Sequence, residues 1–223
     1  VGFSGAALES MVNEAAFIAV NEGFESVNMN HIEKAFYKMV MKGDKKENQS
    51  NRDKEELRIV AYHEAGHAIA TKLYTNDAVS KVTIVSFTSG AGGATFRTPQ
   101  EMGLYSKSYI RSLIKVMYAG RAAEHLLLKN DDEITTGASN DIKQATALIK
   151  EYISMYGMND KIGLINTKDL LRNQEPSILL EEASKLSIEL YDEVKSDLEK
   201  NFAMLEETAE TLLANESISE KEL

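Results

Sequence analysis

The sequence predicts a mainly helical fold carrying one small β-sheet. Three observations predict it: apolar residues recur every three or four positions through most of the chain, one short stretch is dense in β-branched residues, and Ser or Gly stands where helix caps fall.

Taken in order, residues 4–21 place Ala7, Leu8, Met11, Val12, Ala15, Ala16 and Ile18 at helical spacing, with Ser4 available to cap the free N–H groups. A shorter helix begins near Asn30 and runs through Ile32, Ala35, Phe36 and Met39. Lys42 to Asn51 is polar, charged and contains Gly43, so it reads as a linker and a domain boundary. Asp53 to Leu73 is helical again, with His63-Glu64-Ala65-Gly66-His67 in its middle. Lys81 to Phe87 is the β-branched stretch; Gly90, Gly92 and Gly93 follow it, and then Ala94 to Arg97, which predicts a strand, a glycine-rich turn and a second strand.

A helix over 106–128 carries Ile110, Leu113, Ile114, Met117 and Tyr118 on one face, and a polar loop covers 129–133. The next helix starts at Ser139 and stops at Gly157, a residue suited to the left-handed conformation beyond a helix end. Residues 177–215 repeat Leu186, Leu190, Val194, Leu198, Phe202, Leu205 and Leu212, which makes one long helix or two in series. Glu181, Glu182, Glu189, Asp192 and Glu193 read as its solvated face, and Met11, Met39, Met102, Met117 and Met155 as core filling. Ser219-Glu220-Lys221-Glu222 has the pattern of a capping box, with no helix after it.

A chain of 223 residues, 43% hydrophobic, is long enough for one ordinary domain and a smaller piece. Its net charge of -10, with no block of Lys and Arg, argues against nucleic-acid binding through a phosphate-contacting surface. The absence of Cys excludes disulfides and thiolate metal sites, so any metal must be held by His, Asp or Glu, and there are four His. No apolar run approaches the roughly 20 residues of a membrane-spanning helix. The start, Val1-Gly2-Phe3-Ser4-Gly5, has neither an initiator Met nor a basic signal region, so the chain reads as a fragment. No GxxxxGK[ST] loop is present, which excludes P-loop ATP binding by these residues.

His63 and His67 lie four residues apart and so present two imidazoles to one point on a helix, with Glu64 beside that point. Such a pair is a chelate for zinc. The metal lowers the pKa of its water and polarises a peptide carbonyl, and the neighbouring carboxylate can take the water's proton and pass it to the departing amine. Chance would give HExxH only about 0.01 times in a chain of this composition. Ala65, Gly66 and Ala68 are small enough to let other backbone or a substrate come close. A third ligand must come from elsewhere, since Ala70 and Leu73 stand where an extended HExxHxxGxxH motif needs Gly and His. Glu124, in Gly120-Arg121-Ala122-Ala123-Glu124, and Asp141, after Thr135-Thr136-Gly137-Ala138-Ser139-Asn140, are the two candidates, and chemistry alone leaves both open.

Taken together, Ala61 to Ala68, Gly120 to Glu124, Thr135 to Asp141, and Tyr156-Gly157-Met158 ahead of Lys161-Ile162-Gly163 resemble the FtsH family of membrane-anchored, AAA-type, ATP-dependent zinc proteases, in order and at about the family's spacing. The resemblance implies that Asp141 is the third zinc ligand and that Glu124 orients a ligand or supports Asp141's loop. It also implies that residues 1–43 are the end of an ATPase helical lid, 44–52 a linker, and 53–223 a zinc metallopeptidase domain. Ser89 to Ala94 stands where the family usually has a Gly-Arg-Ala-Leu-Gly-like segment, and His125 replaces the acidic residue usual after Glu124; His125 reads as a surface or supporting residue.

The function so implied is cleavage of unfolded polypeptides, with Glu64 catalytic and one zinc per subunit on His63, His67 and Asp141. ATP and Mg2+ serve a motor outside this chain. The partners implied are five further copies in a hexameric ring and, through an anchor outside this chain, the bacterial inner membrane, with this part facing the cytoplasm. A competing reading is a non-catalytic oligomerisation module with a structural zinc site, which would close the metal with four protein ligands.

Overall fold

The computed structural model describes residues 3–46, 53–100, 103–170 and 177–223. Helices dominate, as the apolar spacing predicts. α1 (Gly5–Asn21) is capped by Ser4, whose hydroxyl accepts from Ala7 N, and α2 (Met29–Met41) by Asn28. α1 and α2 pack as a pair ahead of the rest. Part of the expected 44–52 linker, residues 47–52, lies outside the described residues, as do Gly2 and Met102. Asp44 to Lys46 is held against the chain that follows the first strand, with Lys46 N donating to Ser86 O at 3.0 Å and Thr88 N to Asp44 O at 2.9 Å.

α3 (Lys54–Tyr74) is the central element, buried without interruption from Ala61 to Thr71. A helix with no polar face needs neighbours all round. α4 (Lys107–Leu128) and α8 (Phe202–Asn215) supply two of them, and the sheet a third. The approach to α4 is close because the contact is built from Ala and Gly: a Cβ on Gly66 would stand 2.6 Å from Ala119 O and 2.8 Å from Ala123 Cβ. α5 (Ser139–Ser154) and α7 (Ser177–Lys200) lie against α4 or each other, and a single turn, α6 (Thr167–Leu170), comes between them. The 177–215 segment is two helices, broken at Asn201, and Leu186, Leu190, Val194 and Leu198 of α7 are buried as their spacing requires.

The sheet is antiparallel, in the order β2-β1-β3, with β1 (Ala78–Thr83), β2 (Ala94–Thr98) and β3 (Ser217–Ser219). β1 therefore lies three to four residues earlier than the β-branched stretch 81–87. Both of its partners end their pairing opposite Thr83, through Ala94 and Ser217, and beyond it the described chain makes an isolated antiparallel bridge between Phe87 and Lys45. Val85 and Phe87 turn instead to α2 and, with Tyr37 and Phe96, form a second small core. β3 corrects the reading of the chain's end: Ser219 N and Oγ donate to Glu222 Oε2 at 2.8 and 2.7 Å, so the capping-box pattern closes a turn after a strand.

Three smaller expectations are also corrected. α5 stops at Ser154 rather than Gly157, although Gly157 does take φ 62° just beyond. Glu182 is buried, accepting from Asn159 Nδ2 at 3.0 Å and pairing with Lys161, so it anchors the helix rather than belonging to the solvated face, whereas Glu189 stays exposed while pairing with Arg111 at 2.6 Å. Met155 is exposed rather than core. Among the described residues no helix is long and apolar enough to cross a membrane.

Candidate metal centre

His63 and His67, one turn apart on α3, face α4 and the first turn of α5. Asp141 belongs to that turn, where N–H groups are left free and a carboxylate is favoured. Its Oδ2 lies 3.2 Å from His63 Nε2 and 3.5 Å from His67 Nε2, and the two Nε2 atoms are 3.0 Å apart. A tetrahedral zinc with arms of about 2.0–2.1 Å has ligand–ligand edges of about 3.3–3.4 Å, so this triangle has the size of one face of such a site.

The outer nitrogens are already engaged. His63 Nδ1–H donates to Glu124 Oε1 at 2.7 Å and His67 Nδ1–H to Val116 O at 2.8 Å. In the tautomers those bonds require, both Nε2 lone pairs point inward, at each other and at a carboxylate oxygen. With both imidazoles neutral, three acceptors converge on one point, an arrangement that calls for a cation, whether a metal ion or a proton taken up by an imidazole. The same demand is visible in the charges. Burial disfavours an imidazolium at His63, yet the carboxylates of Asp141 and Glu124 outweigh it and push its pKa up to about 10. Burial acts against Asp141 as well, and hydrogen bonds from His63 and His67 nonetheless hold its carboxyl far below the usual range. The donors, two imidazoles and one carboxylate, are those of an open zinc site.

Glu124 stands on the far side of the His63 ring from this point. Its Oε2 accepts from Thr135 Oγ1 at 2.9 Å, so the one carboxylate ties the orientation of His63 to the loop that leads to Asp141. Gly137 fits beneath it, where a Cβ would stand 3.1 Å from Thr135 Oγ1. Gly120 has a sharper reason: a Cβ there would come within 2.5 Å of His63 Nε2. His125 faces away from the site, accepting from Lys195 Nζ at 2.7 Å on its Nε2 side and standing 3.4 Å from Asp131 on its Nδ1 side.

Glu64 is buried beside the histidines and turned toward the sheet. Its Oε2 accepts from Thr95 Oγ1 at 2.8 Å. The cleft above these groups, of about 830 Å³, runs between α4 and the Ser89–Thr95 segment, with Leu113, Met117 and Arg97 among its walls. Of these contacts the sequence reading missed Thr95, the Val116 carbonyl and the clearance at Gly120. The glycine in Gly120-Arg121-Ala122-Ala123-Glu124 was the one visible signal, since it lies four residues, a helical turn, before Glu124.

The chain is similar to known proteins over its whole length. A family model described as Peptidase family M41 matches residues 50–223, and one described as AAA+ lid domain matches residues 1–34. An ATP-dependent zinc metalloprotease FtsH 1 of Alkaliphilus metalliredigens is 42% identical over 228 residues, covering 100% of this chain and 38% of the relative. An ATP-dependent zinc metalloprotease FtsH of Lachnoclostridium phytofermentans is 40% identical over 224 residues, with the same coverage of 100% and 38%. The ATP-dependent zinc metalloprotease YME1L of Drosophila melanogaster is 34% identical over 227 residues, 97% of this chain and 30% of that protein. The chain thus spans less than two-fifths of the length of these curated relatives.

Proposed function

This chain belongs to peptidase family M41, and from that premise we propose that it is the proteolytic part of an ATP-dependent zinc endopeptidase. His63, His67 and Asp141 hold the metal, Glu64 is the general base and acid, and Glu124 orients His63. The observation that carries this reading is the triangle of His63 Nε2, His67 Nε2 and Asp141 Oδ2, with edges of 3.0, 3.2 and 3.5 Å.

A zinc ion held there supplies a Lewis acid that polarises the peptide carbonyl and lowers the pKa of a bound water. The protein's own groups do the rest. Glu64 takes a proton from the attacking water and returns it to the amide nitrogen as the C–N bond breaks. His67 and His63 keep their Nε2 lone pairs inward because Val116 O and Glu124 hold their Nδ1 protons. β2 is an edge strand at the cleft, and its outer side suits an extended, unfolded peptide added as a further strand.

The substrates are unfolded or misfolded proteins delivered by the ATP- and Mg2+-using motor of the same polypeptide. Residues 1–43 are the end of that motor's lid, 44–52 the linker and 53–223 the peptidase domain. The assembly is a homo-hexamer at the bacterial inner membrane, anchored by a segment outside this chain, with this part facing the cytoplasm. Glu64→Gln should retain zinc at wild-type stoichiometry and lose casein cleavage by about 10³-fold or more; an active, zinc-loaded variant would remove Glu64 from its assigned role.

A further inference from the structure

Thr95 and Phe96 are neighbours on β2 and serve opposite faces. Phe96 joins the aromatic cluster under α2, whereas Thr95 turns to α3. The Thr95 hydroxyl donates to Glu64 Oε2 at 2.8 Å and lies 3.1 Å from the main-chain oxygen of the same residue. Gly93 closes the other side: a Cβ there would stand 2.9 Å from Glu64 Cγ and 3.0 Å from Oε1. The Glu64 side chain is therefore clasped at one oxygen and flanked by bare backbone at the other.

We propose that Thr95 is a positioning residue for the Glu64 carboxylate, fixing Oε2 so that Oε1 alone exchanges the proton. This rests on Glu64 being the base. As the water's oxygen bonds to the carbonyl carbon, its proton passes to Oε1; as the C–N bond breaks, that proton passes to the amide nitrogen, and Thr95 keeps its own proton throughout. Without the hydroxyl, Glu64 must be ordered anew for each proton transfer. Substrate paired to the main chain of β2 would not sense the change, so the loss belongs in kcat and not in KM.

The test uses the full-length, zinc-loaded protein and a short fluorogenic peptide whose cleavage needs no unfolding. Thr95→Val and Thr95→Ala are expected to lose about 10- to 100-fold in kcat, the worth of one hydrogen bond to a charged group. KM should stay within about twofold, zinc content and melting temperature should be unchanged, and Thr95→Ser should recover most of the rate. Wild-type kcat in both variants would overturn the proposal, as would a loss confined to KM, no recovery with Ser, or loss of zinc in both. Glu64→Gln, measured alongside, separates the two levels: if it stays active, the assignment of the base fails; if it is inactive while Thr95→Val is not, only the role of Thr95 fails.

Discussion

At the start of α2, His31 is fully buried, its Nδ1 accepting from Asn28 N at 3.1 Å and its Nε2 standing 3.6 Å from the Glu22 carboxylate. In the middle of α3, His63 and His67 are also buried and also use Nδ1 for a hydrogen bond, but their Nε2 atoms meet each other and Asp141. Burial and a satisfied Nδ1 are thus common to all three. His31 uses them to fasten a helix start, as a capping box in which Asn28 Oδ1 accepts from His31 N at 3.2 Å. What separates the α3 pair is a second imidazole and a carboxylate sharing the space in front of Nε2. A histidine becomes a ligand through what its second nitrogen faces.

Substitutions at these histidines and their partners separate a ligand from a cap. The largest effect is expected from His63→Ala, which leaves two of three donors: zinc stoichiometry should fall toward zero by metal analysis, and peptide cleavage with it, by about 10³-fold or more. Retained zinc and activity would put His63 in the same class as His31. Glu124→Gln should be milder. It keeps the shape but weakens the bond that points Nε2 inward, and about 10- to 100-fold in zinc affinity is expected from competition with a chelator. The smallest functional effect is expected from His31→Ala. It should lower stability by about 1–3 kcal/mol in denaturant unfolding, through a lost cap and a small cavity, while zinc content and activity stay at wild type.

The same contrast explains what could be read without coordinates. HExxH is legible because i, i+4 spacing on a helix is a local rule, and α3 obeys it. The choice between Glu124 and Asp141 is not local: one lies on α4 facing the Nδ1 side of His63 and the other at the start of α5 facing the Nε2 side, and only the packed helices distinguish those sides. Residues 81–87 had strand composition, but a strand also needs a continuous ladder, and this one ends at Thr83, beyond which Phe87 makes an isolated bridge to Lys45. β3 was hidden because three residues, Ser217–Ser219, carry too little pattern to register. Glu182 looked like any acidic residue on a helix until Asn159 and Lys161 were brought to it from a loop. Small residues at 65, 66 and 68 did announce a close approach, and Gly66 takes it from the α4 backbone at Ala119.

The most direct test of the metal centre is anomalous scattering at the zinc edge from crystals of the zinc-loaded protein. One peak per chain is expected, about 2.0–2.2 Å from His63 Nε2, His67 Nε2 and an Asp141 carboxylate oxygen, with the fourth position not taken by protein. No peak there under zinc-replete conditions, an Asp141 turned away from it, or a fourth protein ligand closing the site would contradict it.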